Sequence, residues 1–590
     1  KEIKIKIPQN KYNDIKFDYF DLDHLVISNN DIEKSWTHPM IDSSGDYIPS
    51  KYILTLGQPI YINSFFTGCR FPFSDNQIVD NLSYLRYQAG KTYQQLNLGE
   101  DGTYCCWKTV LGSARSTNIE VIRNDFFSYI TDISVENKFR KQYNSWYDWM
   151  LTITESNILS SFKEIEKGCT QMGVKPLDSY VIDDGWNNYN YNSSKYYIYD
   201  EARSGTTFNE VGFWTINNKF QDGFNKPADF AHSVSSDFGV WLGPRGGYNF
   251  NSNFARMIES AGNGFYNAQS GDIDVASAKY TEKLKDFWNE WIRDYKVNYY
   301  KLDGWLLHPC QNKEHDHMVG GYDNVYEFTD YWERYIEVFK SMRKTADENN
   351  VNNLWISLTC YVNPSPFHLQ WTNSIWVQIS NDVGYTKITD KDTLADQMLN
   401  YRDNVYHEFY TSYQFQLPQQ SVYNHDPIYG QTGTQLKNSL DDDEFRRYLL
   451  MVGMRGTSFF ELYYTYSMID EGDKWYVNSE VLNYIENRHS VLEHSQIFGG
   501  APGSGQVYGY SAWFNDRGTI AIRNPSNEVK EYTINLNREI GVPENIPTTY
   551  RKVILDFNTV EELHEGQAQN YGDIIKVTLQ PRETRIIDFE

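Results

Sequence analysis

Apolar runs and amphipathic stretches alternate along the middle of the chain. Eight short runs, rich in β-branched and aromatic residues, have the length of strands: 146–153, 180–184, 240–243, 299–303, 354–360, 375–380, 413–417 and 458–462. Longer stretches with apolar residues three and four apart lie between several of them, as at 279–295, 325–349, 392–409 and 441–454. This repetition predicts an α/β fold with a central (β/α)8 TIM barrel over residues 141–495.

The pattern differs on both sides of this region. Residues 1–140 contain short alternating segments, such as 52–56, 60–63 and 118–123, that Gly, Asn and Asp interrupt, and they predict an N-terminal β-sandwich. A Gly-rich linker at 499–505 precedes alternating runs at 519–523 and 574–579, which predict a C-terminal antiparallel β domain. We therefore expect three domains: 1–140, 141–495 and 496–590.

Polar side chains follow most of the predicted barrel strands. Catalytic groups of TIM barrels lie at the carboxyl ends of the strands, so these residues are expected to face one pocket. A single acid at a strand end is more often a helix cap or a solvated charge, but the clustering favours a functional site. The residues are Asp183, Asp184, Arg245, Lys301, Asp303, Cys360, Asn363, Asp382, Asn424, His425, Asp426 and Glu461.

Composition narrows the class of ligand. The 590 residues carry a formal net charge of −24, which argues against nucleic acid or an anionic membrane as partner and favours a neutral substrate. Aromatic residues make up 16% of the chain and could stack on sugar faces, although they also fill cores. Six irregularly spaced cysteines predict neither a disulfide framework nor a C-x-x-C zinc site.

Two histidines, His315 and His317, stand in the sequence Glu-His-Asp-His. They could bind a metal, but a hydrated acidic loop is the commoner meaning of such a stretch. We predict no metal and no other cofactor.

Paired carboxylates across a sugar pocket are the chemistry of glycoside hydrolysis. Asp303 suits the attacking role, because Lys301 two residues earlier points to the same side of the strand and would favour an ionised carboxylate. Lys301 could equally hydrogen-bond a sugar hydroxyl. Asp382 is the candidate acid/base, since the neighbouring Asn381 cannot donate and recover a proton.

These strand ends resemble those of a known group of enzymes. Val-Ile-Asp-Asp-Gly-Trp at 181–186, Val-Trp-Leu-Gly-Pro-Arg at 240–245, Tyr-Lys-Leu-Asp-Gly-Trp at 300–305, a strand ending in Cys360 and one ending in Ser-Asn-Asp at 380–382 are similar to the retaining α-galactosidase and α-N-acetylgalactosaminidase clan, glycoside hydrolase clan D. Family thirty-six is the closest candidate. The order of β-sandwich, barrel and β domain is also similar to that clan.

The resemblance implies roles for individual residues. Asp183 and Asp184 would bind the 4- and 6-hydroxyls of a terminal galacto-sugar with Trp186 packed nearby, and Lys301 would hold adjacent hydroxyls. Asp303 would be the nucleophile and Asp382 the acid/base. Further pocket candidates are Trp241, Arg245, Trp305, Cys360 and Asn363, whereas Arg402 is interpreted as a helix-surface ion-pair partner.

The chain departs from the family pattern where the 2-substituent of the sugar is expected. The segment 360–363 lacks the usual glycines, and Ser-Asn-Asp replaces the commoner Ser-Asp. The stretch 423–429, with Asn424, His425 and Asp426, resembles bacterial α-N-acetylgalactosaminidases. A hydrogen-bonded loop before Pro427 explains these three residues equally well.

We therefore expect a retaining exo-glycosidase that removes terminal α-linked N-acetylgalactosamine from glycans, with host or blood-group A type chains implied by the resemblance. The alternatives are an α-galactosidase, a raffinose-type transglycosylase, or a non-catalytic sugar-binding protein. The expected partner is a glycan or glycoconjugate, not nucleic acid or a membrane, and a homo-oligomer stays open. The sequence begins without Met, compatible with a removed export signal, so we expect a secreted or cell-surface bacterial protein while leaving the cytoplasm open.

Overall fold

The fold is described from a computed structural model. It describes residues 4–6, 20–28, 35–36, 55–79, 82–91, 96–187, 215–245, 251–305, 310–319, 326–360, 362–437, 439–546, 549–554 and 568–590. The start of the predicted run at 52–56 lies outside these residues.

Nine parallel strands form the central sheet, and we number them β1 to β9. Their order across the sheet is β7-β6-β5-β4-β3-β2-β1-β9-β8. Strands β2, β4, β5 and β9 lie within two residues of the bounds that the pattern predicts. The strands are β1 Arg140–Asn144, β2 Ser179–Ile182, β3 Asp237–Leu242, β4 Val297–Leu302, β5 Trp355–Leu358, β6 Ser374–Trp376, β7 Val422–Tyr423, β8 Ile428–Tyr429 and β9 Phe459–Tyr464.

The sheet curls round and meets itself through the segment 422–429. β7 pairs with β6, whereas β8 pairs with β9, so one short stretch of chain joins both ends of the sheet. Between β7 and β8 the peptide bond from Asp426 to Pro427 is cis. The backbone N–H of Tyr463 donates to Pro427 O at 3.1 Å. The α/β prediction and its parallel, barrel-like sheet are thereby confirmed for the central region.

Helices follow most of the strands on the outside of this sheet. Three of them begin with a reciprocal capping box, at Thr154 with Asn157, at Thr393 with Asp396 and at Asp441 with Glu444. A short 3-10 helix, Pro366–Gln370, connects β5 to β6. The α-helices of the described residues are α1 Ile119–Ile133, α2 Trp146–Trp149, α3 Glu155–Gln171, α4 Asn225–Ser233, α5 Asn251–Ser260, α6 Ala278–Asp294, α7 Tyr326–Glu348, α8 Leu394–Thr411, α9 Asp442–Met454, α10 Tyr466–Ile469 and α11 Lys474–Leu492.

Antiparallel strands precede and follow the barrel. Before it lie Lys4–Lys6, Phe20–Ser28, Ser35–Trp36, Ile60–Ile62, Phe65–Cys69, Asp75–Val79, Leu82–Ala89, Thr103–Cys105 and Thr109–Ser113. After it lie Gln496–Gly499, Tyr508–Phe514, Arg517–Arg523, Lys530–Asn535, Thr549–Ile554, Ala568–Gln569, Ile574–Leu579 and Thr584–Phe589. The predicted division into three domains, and the sandwich in particular, stays a prediction.

Three local predictions are wrong. The run at 118–123 is not a strand: it begins helix α1, with the Asn118 side chain capping the N–H of Glu120. The run at 146–153 contains α2, and the first strand lies earlier, at Arg140–Asn144. The seventh strand position is not 413–417 but Val422–Tyr423.

The hydrophobic pattern does not reveal the first strand, because the inward side chains of this strand are polar. Arg140, Gln142 and Asn144 are fully buried, and they find hydrogen-bond partners inside the barrel. Gln142 and Asn144 each donate to Glu461 Oε1 at 2.8 Å. A buried polar side chain needs such partners, and here neighbouring strands supply them.

Among the described residues, no helix has both the length and the apolar character needed to cross a bilayer.

Candidate active site

A cavity of about 510 Å³ opens at the carboxyl ends of the barrel strands. Carboxyl ends of parallel strands are where barrel enzymes place their reactive groups. The lining brings together eight of the residues selected from the sequence: Asp183, Asp184, Trp241, Lys301, Asp303, Cys360, Asp382 and His425. Seven further residues complete it: Trp146, Thr359, Trp376, Gln378, Ser380, Asn381 and Val383.

Asp303 lies directly after β4, where neutral donors fix both oxygens of its carboxylate. The indole N–H of Trp241 donates to Oδ2 at 3.0 Å. The Cys360 thiol donates to Oδ1 at 3.0 Å, and the Thr359 hydroxyl donates to the same oxygen. These donors come from the ends of β3 and β5, on either side of β4. The neighbouring strands therefore hold the carboxylate in one orientation at the cavity wall.

Lys301 pairs with a different acid from the one that the sequence suggested. Its ammonium donates to Asp183 Oδ2 at 2.8 Å and to the Tyr463 hydroxyl at 3.4 Å. Burial lowers the pKa of Lys301, but the charges of Asp183, Glu461 and Asp303 raise it, and the net shift is upward. Lys301 is thus positively charged and hydrogen-bonded to Asp183. It acts on Asp303 through its charge.

Glu461, on β9, extends this network. The Tyr423 hydroxyl donates to Glu461 Oε2 at 3.0 Å and lies 2.9 Å from the Tyr463 hydroxyl, which contacts Lys301. Burial raises the pKa of Glu461, opposed by Lys301 and by its hydrogen bonds. A continuous chain of polar contacts thus links Glu461 to Lys301.

Asp382 follows β6 at the mouth of the cavity. Burial raises its pKa, and the negative charge of Asp303 raises it further, whereas Lys301 and Arg402 oppose the rise. The side chain is 65% accessible to solvent, and screening by water limits the shift. Both causes act in the direction that a proton donor requires.

Arg402 is not the surface residue that the sequence suggested. Its side chain is 4% exposed and lies over the Trp376 ring, with Cζ 5.5 Å from the ring centroid. The guanidinium donates to the backbone oxygens of Asn381 at 3.1 Å and Asp382 at 2.7 Å. Arg402 therefore fixes the backbone that carries Asp382.

His425 is buried beside the same acid. Its Nδ1 lies 3.2 Å from the Tyr147 hydroxyl and 3.9 Å from Asp382 Oδ1. Burial, together with the charges of Lys301 and Arg402, lowers the pKa of His425 well below its usual value. The imidazole is thus neutral at physiological pH.

Besides Glu461, six predicted site residues are not among those that line the cavity. Trp186 and Trp305 are fully buried and pack on Trp291 and Trp332 respectively. The remaining four have structural partners: Arg245 pairs with Asp272, Asn363 donates to the backbone oxygens of Leu56 and Pro72, Asn424 donates to the Tyr406 hydroxyl, and Asp426 binds Arg455 and Tyr448.

Several lining residues were missed from sequence. Trp376, Gln378 and Ser380 alternate within the predicted run 375–380, a pattern that would place them on one side of an extended chain, although in the structure the strand ends at Trp376 and a turn follows. Thr359 directly precedes the selected Cys360. Alternation was therefore the available signal, whereas Trp146 lies on a segment whose secondary structure was predicted wrongly.

No protein-family model and no curated protein sequence matches the chain. Solved structures do match. The GH36 α-galactosidase AgaA from Geobacillus stearothermophilus, a variant in complex with stachyose, has a TM-score of 0.58 at 10% identity, over 96% of this chain and 76% of that chain. The α-galactosidase from Lactobacillus brevis has a TM-score of 0.55 at 11% identity, over 90% of this chain and 66% of that chain.

A third similar structure is the galactosidase domain of the α-galactosidase-sucrose kinase AgaSK. Its TM-score is 0.56 at 11% identity, over 90% of this chain and 66% of that chain. At such identities the similarity concerns the fold alone. The fold of this chain is similar to that of α-galactosidases.

Proposed function

We propose that this protein is a retaining exo-glycosidase that releases a terminal α-linked galacto-sugar by double displacement. The observation that carries the proposal is a pair of carboxyl groups with opposite surroundings in one cavity. Asp303 is held by three neutral donors, whereas the pKa of Asp382 is raised. Two carboxyl groups in separate acid and nucleophile roles are what glycoside hydrolysis needs.

The reaction follows from these two groups. A carboxylate oxygen of Asp303 attacks the anomeric carbon while protonated Asp382 gives its proton to the departing glycosidic oxygen. This step forms a covalent glycosyl-Asp303 ester and releases the aglycone. Asp382, now ionised, takes a proton from water, and the resulting hydroxyl displaces Asp303, so two inversions retain the anomeric configuration.

The remaining polar groups suit recognition of sugar hydroxyls. Asp183 and Asp184 are 1% and 2% exposed, and both line the cavity together with Lys301. Asp183 Oδ1 accepts the backbone N–H of Asp184 and its Oδ2 accepts Lys301. A charged acceptor fixed in this way can orient a hydroxyl without reorganising. AgaA, whose fold is similar, was solved in complex with stachyose, which supports a glycan as the substrate.

For the sugar itself we propose N-acetylgalactosamine, with galactose as the alternative. The support is the departure at 360–363, where the glycine-poor segment borders the cavity at Cys360, together with the resemblance of 423–429 to bacterial α-N-acetylgalactosaminidases. Parallel hydrolysis of nitrophenyl α-N-acetylgalactosaminide and nitrophenyl α-galactoside decides between them. Faster release from the galactoside would replace the N-acetyl assignment, and transfer to a sugar acceptor would favour a transglycosylase.

The stereochemistry and the acid role can be tested together. Proton NMR should show the α-anomer as the first product, and a β-anomer would overturn the retaining mechanism. In Asp382→Ala we expect about 10²–10⁴-fold slower cleavage of substrates with poor leaving groups, with much less loss on an activated aryl substrate. Azide should accelerate this variant and give an α-glycosyl azide.

The matched control is Asp229→Ala, which removes an exposed acid on α4 and should behave like the parent. Equal losses for activated and unactivated leaving groups in Asp382→Ala would contradict the acid role. Tight sugar binding without turnover in the parent protein would support the non-catalytic alternative.

A further inference from the structure

Four side chains that bind metals elsewhere converge outside the cavity. They are Asp274, Cys310, His315 and His317, and one ligand atom from each lies within 4.8 Å of all the others. Asp274 follows the strand Asp272–Ile273, whereas the other three belong to the segment that follows β4. The two histidine side chains are 5% and 0% exposed. The hydrated acidic loop expected from the sequence is therefore wrong.

We propose that these four side chains bind one zinc ion in a structural site. Thiolate and imidazole are preferred zinc ligands, carboxylate oxygen is also accepted, and four protein ligands in a tetrahedron are the usual structural arrangement. The thiolate of Cys310 and the carboxylate of Asp274 together carry the charge that a divalent ion neutralises. The site is independent of the glycosidase proposal, because none of the four residues lines the cavity.

The ligand atoms lie close enough together to share one ion. Asp274 Oδ2 lies 2.6 Å from His315 Nδ1 and 2.7 Å from His317 Nε2, and Cys310 Sγ lies 3.3 Å from His315 Nδ1. Zinc bonds of about 2.0–2.3 Å require ligand atoms roughly 3.3–3.8 Å apart. These three contacts would have to lengthen by less than about 1 Å on binding, as the hydrogen bonds between the ligands are replaced by bonds to zinc.

Surrounding groups select which atom each ligand presents. His317 Nδ1 lies 2.6 Å from the backbone oxygen of Met318, so this nitrogen carries the proton and Nε2 is left as the ligand. Asp274 Oδ1 accepts the backbone N–H of Ala276 at 3.1 Å, so Oδ2 faces the two histidines. Hydrogen bonds of this kind, which fix tautomer and orientation, are characteristic of metal sites.

The backbone of the ligand segment is also anchored. Asp316, between the two histidines, accepts the N–H groups of Ala278 and Lys279 at the start of α6, each at 3.0 Å. The N–H of Cys310 donates to both oxygens of Glu327, in the first turn of α7, at 2.9 and 2.8 Å. Zinc would therefore connect the segment that follows β4, which carries Cys310, His315 and His317, to Asp274, which follows the strand Asp272–Ile273.

The metal content of the full chain tests this site. After expression with zinc and dialysis, mass spectrometry of the metal should find about one zinc per chain. In Cys310→Ser we expect zinc affinity to fall by at least the order of 100-fold. The matched control, Cys105→Ser, replaces an exposed cysteine and should keep the full zinc content. A chelator should lower the melting temperature of the parent and the control but not that of Cys310→Ser.

Cobalt substitution keeps the test decisive if Cys310→Ser does not fold. Cobalt in the parent protein should give the intense visible bands of tetrahedral coordination and a thiolate-to-cobalt band in the near ultraviolet. A parent that takes up neither zinc nor cobalt would overturn the proposal and leave the cluster as His–Asp ion pairs. Cobalt bound without a thiolate band, or equal zinc in Cys310→Ser and Cys105→Ser, would also overturn it.

Discussion

Two acids at the ends of barrel strands, Asp303 after β4 and Asp426 between β7 and β8, have opposite surroundings. Asp303 accepts hydrogen bonds from an indole, a hydroxyl and a thiol, and its carboxylate lines the cavity. Neutral donors orient a carboxylate without compensating its charge. The charge therefore stays available to a substrate.

The negative charge of Asp426 is instead balanced by groups in direct contact with it. Arg455 donates to it at 2.7 Å, the Tyr448 hydroxyl donates at 2.8 Å, and Arg402 Nε lies 3.3 Å away. Arg455 also donates to Asp403 at 2.8 Å, and Asp403 accepts the Tyr510 hydroxyl at 2.7 Å. The acid belongs to a buried, balanced network that connects α8 to the C-terminal sheet. The partners of an acid, and not its place at a strand end, indicate its role.

The largest expected effect separates these acids by activity. In Asp303→Asn, which keeps size and shape, we expect turnover to fall by on the order of 10⁴–10⁶-fold because the nucleophile is removed. Urea unfolding should change little, since the cavity is open to water at this group. Turnover within tenfold of the parent, measured after excluding deamidation by mass spectrometry, would show that Asp303 is not the nucleophile.

The second prediction separates the acids by stability. Asp426→Asn leaves two buried guanidinium groups facing one fewer carboxylate, so we expect a loss of about 3–5 kcal/mol in the free energy of unfolding. Urea titration followed by circular dichroism measures it. Activity per folded molecule should fall far less than in Asp303→Asn.

Asp390→Asn is the control for stability. Asp390 pairs with Lys387 at 2.9 Å at the surface, and its replacement should leave the midpoint unchanged because water screens exposed pairs. Equal midpoints for Asp426→Asn and Asp390→Asn would mean that the buried network is not stabilising.

The sequence predicted where the site residues lie better than it predicted which groups they contact. Asp303 and Asp183 could be placed at a common pocket because strand ends of a barrel share one face. The two tryptophans that follow an Asp-Gly pair, Trp186 and Trp305, were also expected at the pocket, but neither lines it. Gly304 has a φ of +72°, a left-handed turn that suits glycine, and Trp305, which follows it, is fully buried.

Burial of polar groups set the other limit on prediction. Arg402 has the spacing of an ordinary helix residue, yet its charge is buried because acids and carbonyl oxygens distant in sequence meet it. Likewise, the local sequence around His315 and His317 is typical of a hydrated loop, but in the structure both histidines contact Asp274, about forty residues earlier. Such long-range pairing is not encoded in local periodicity.

The smallest expected effect concerns Arg402, which connects the cavity to the buried network around Asp426. Its charge lowers the pKa of Asp382, and its Nε faces Asp426. A general acid must be protonated, so kcat/KM falls as the pH rises through the pKa of Asp382. Arg402→Gln removes a cation, raises that pKa and should move the basic limb of the profile to higher pH, by less than about one unit because solvent screens Asp382. Arg402→Lys keeps the charge and should restore the limb, and Arg447→Gln, at an exposed position on α9, should leave it unmoved. A limb that shifts to lower pH in Arg402→Gln would mean that another group donates the proton.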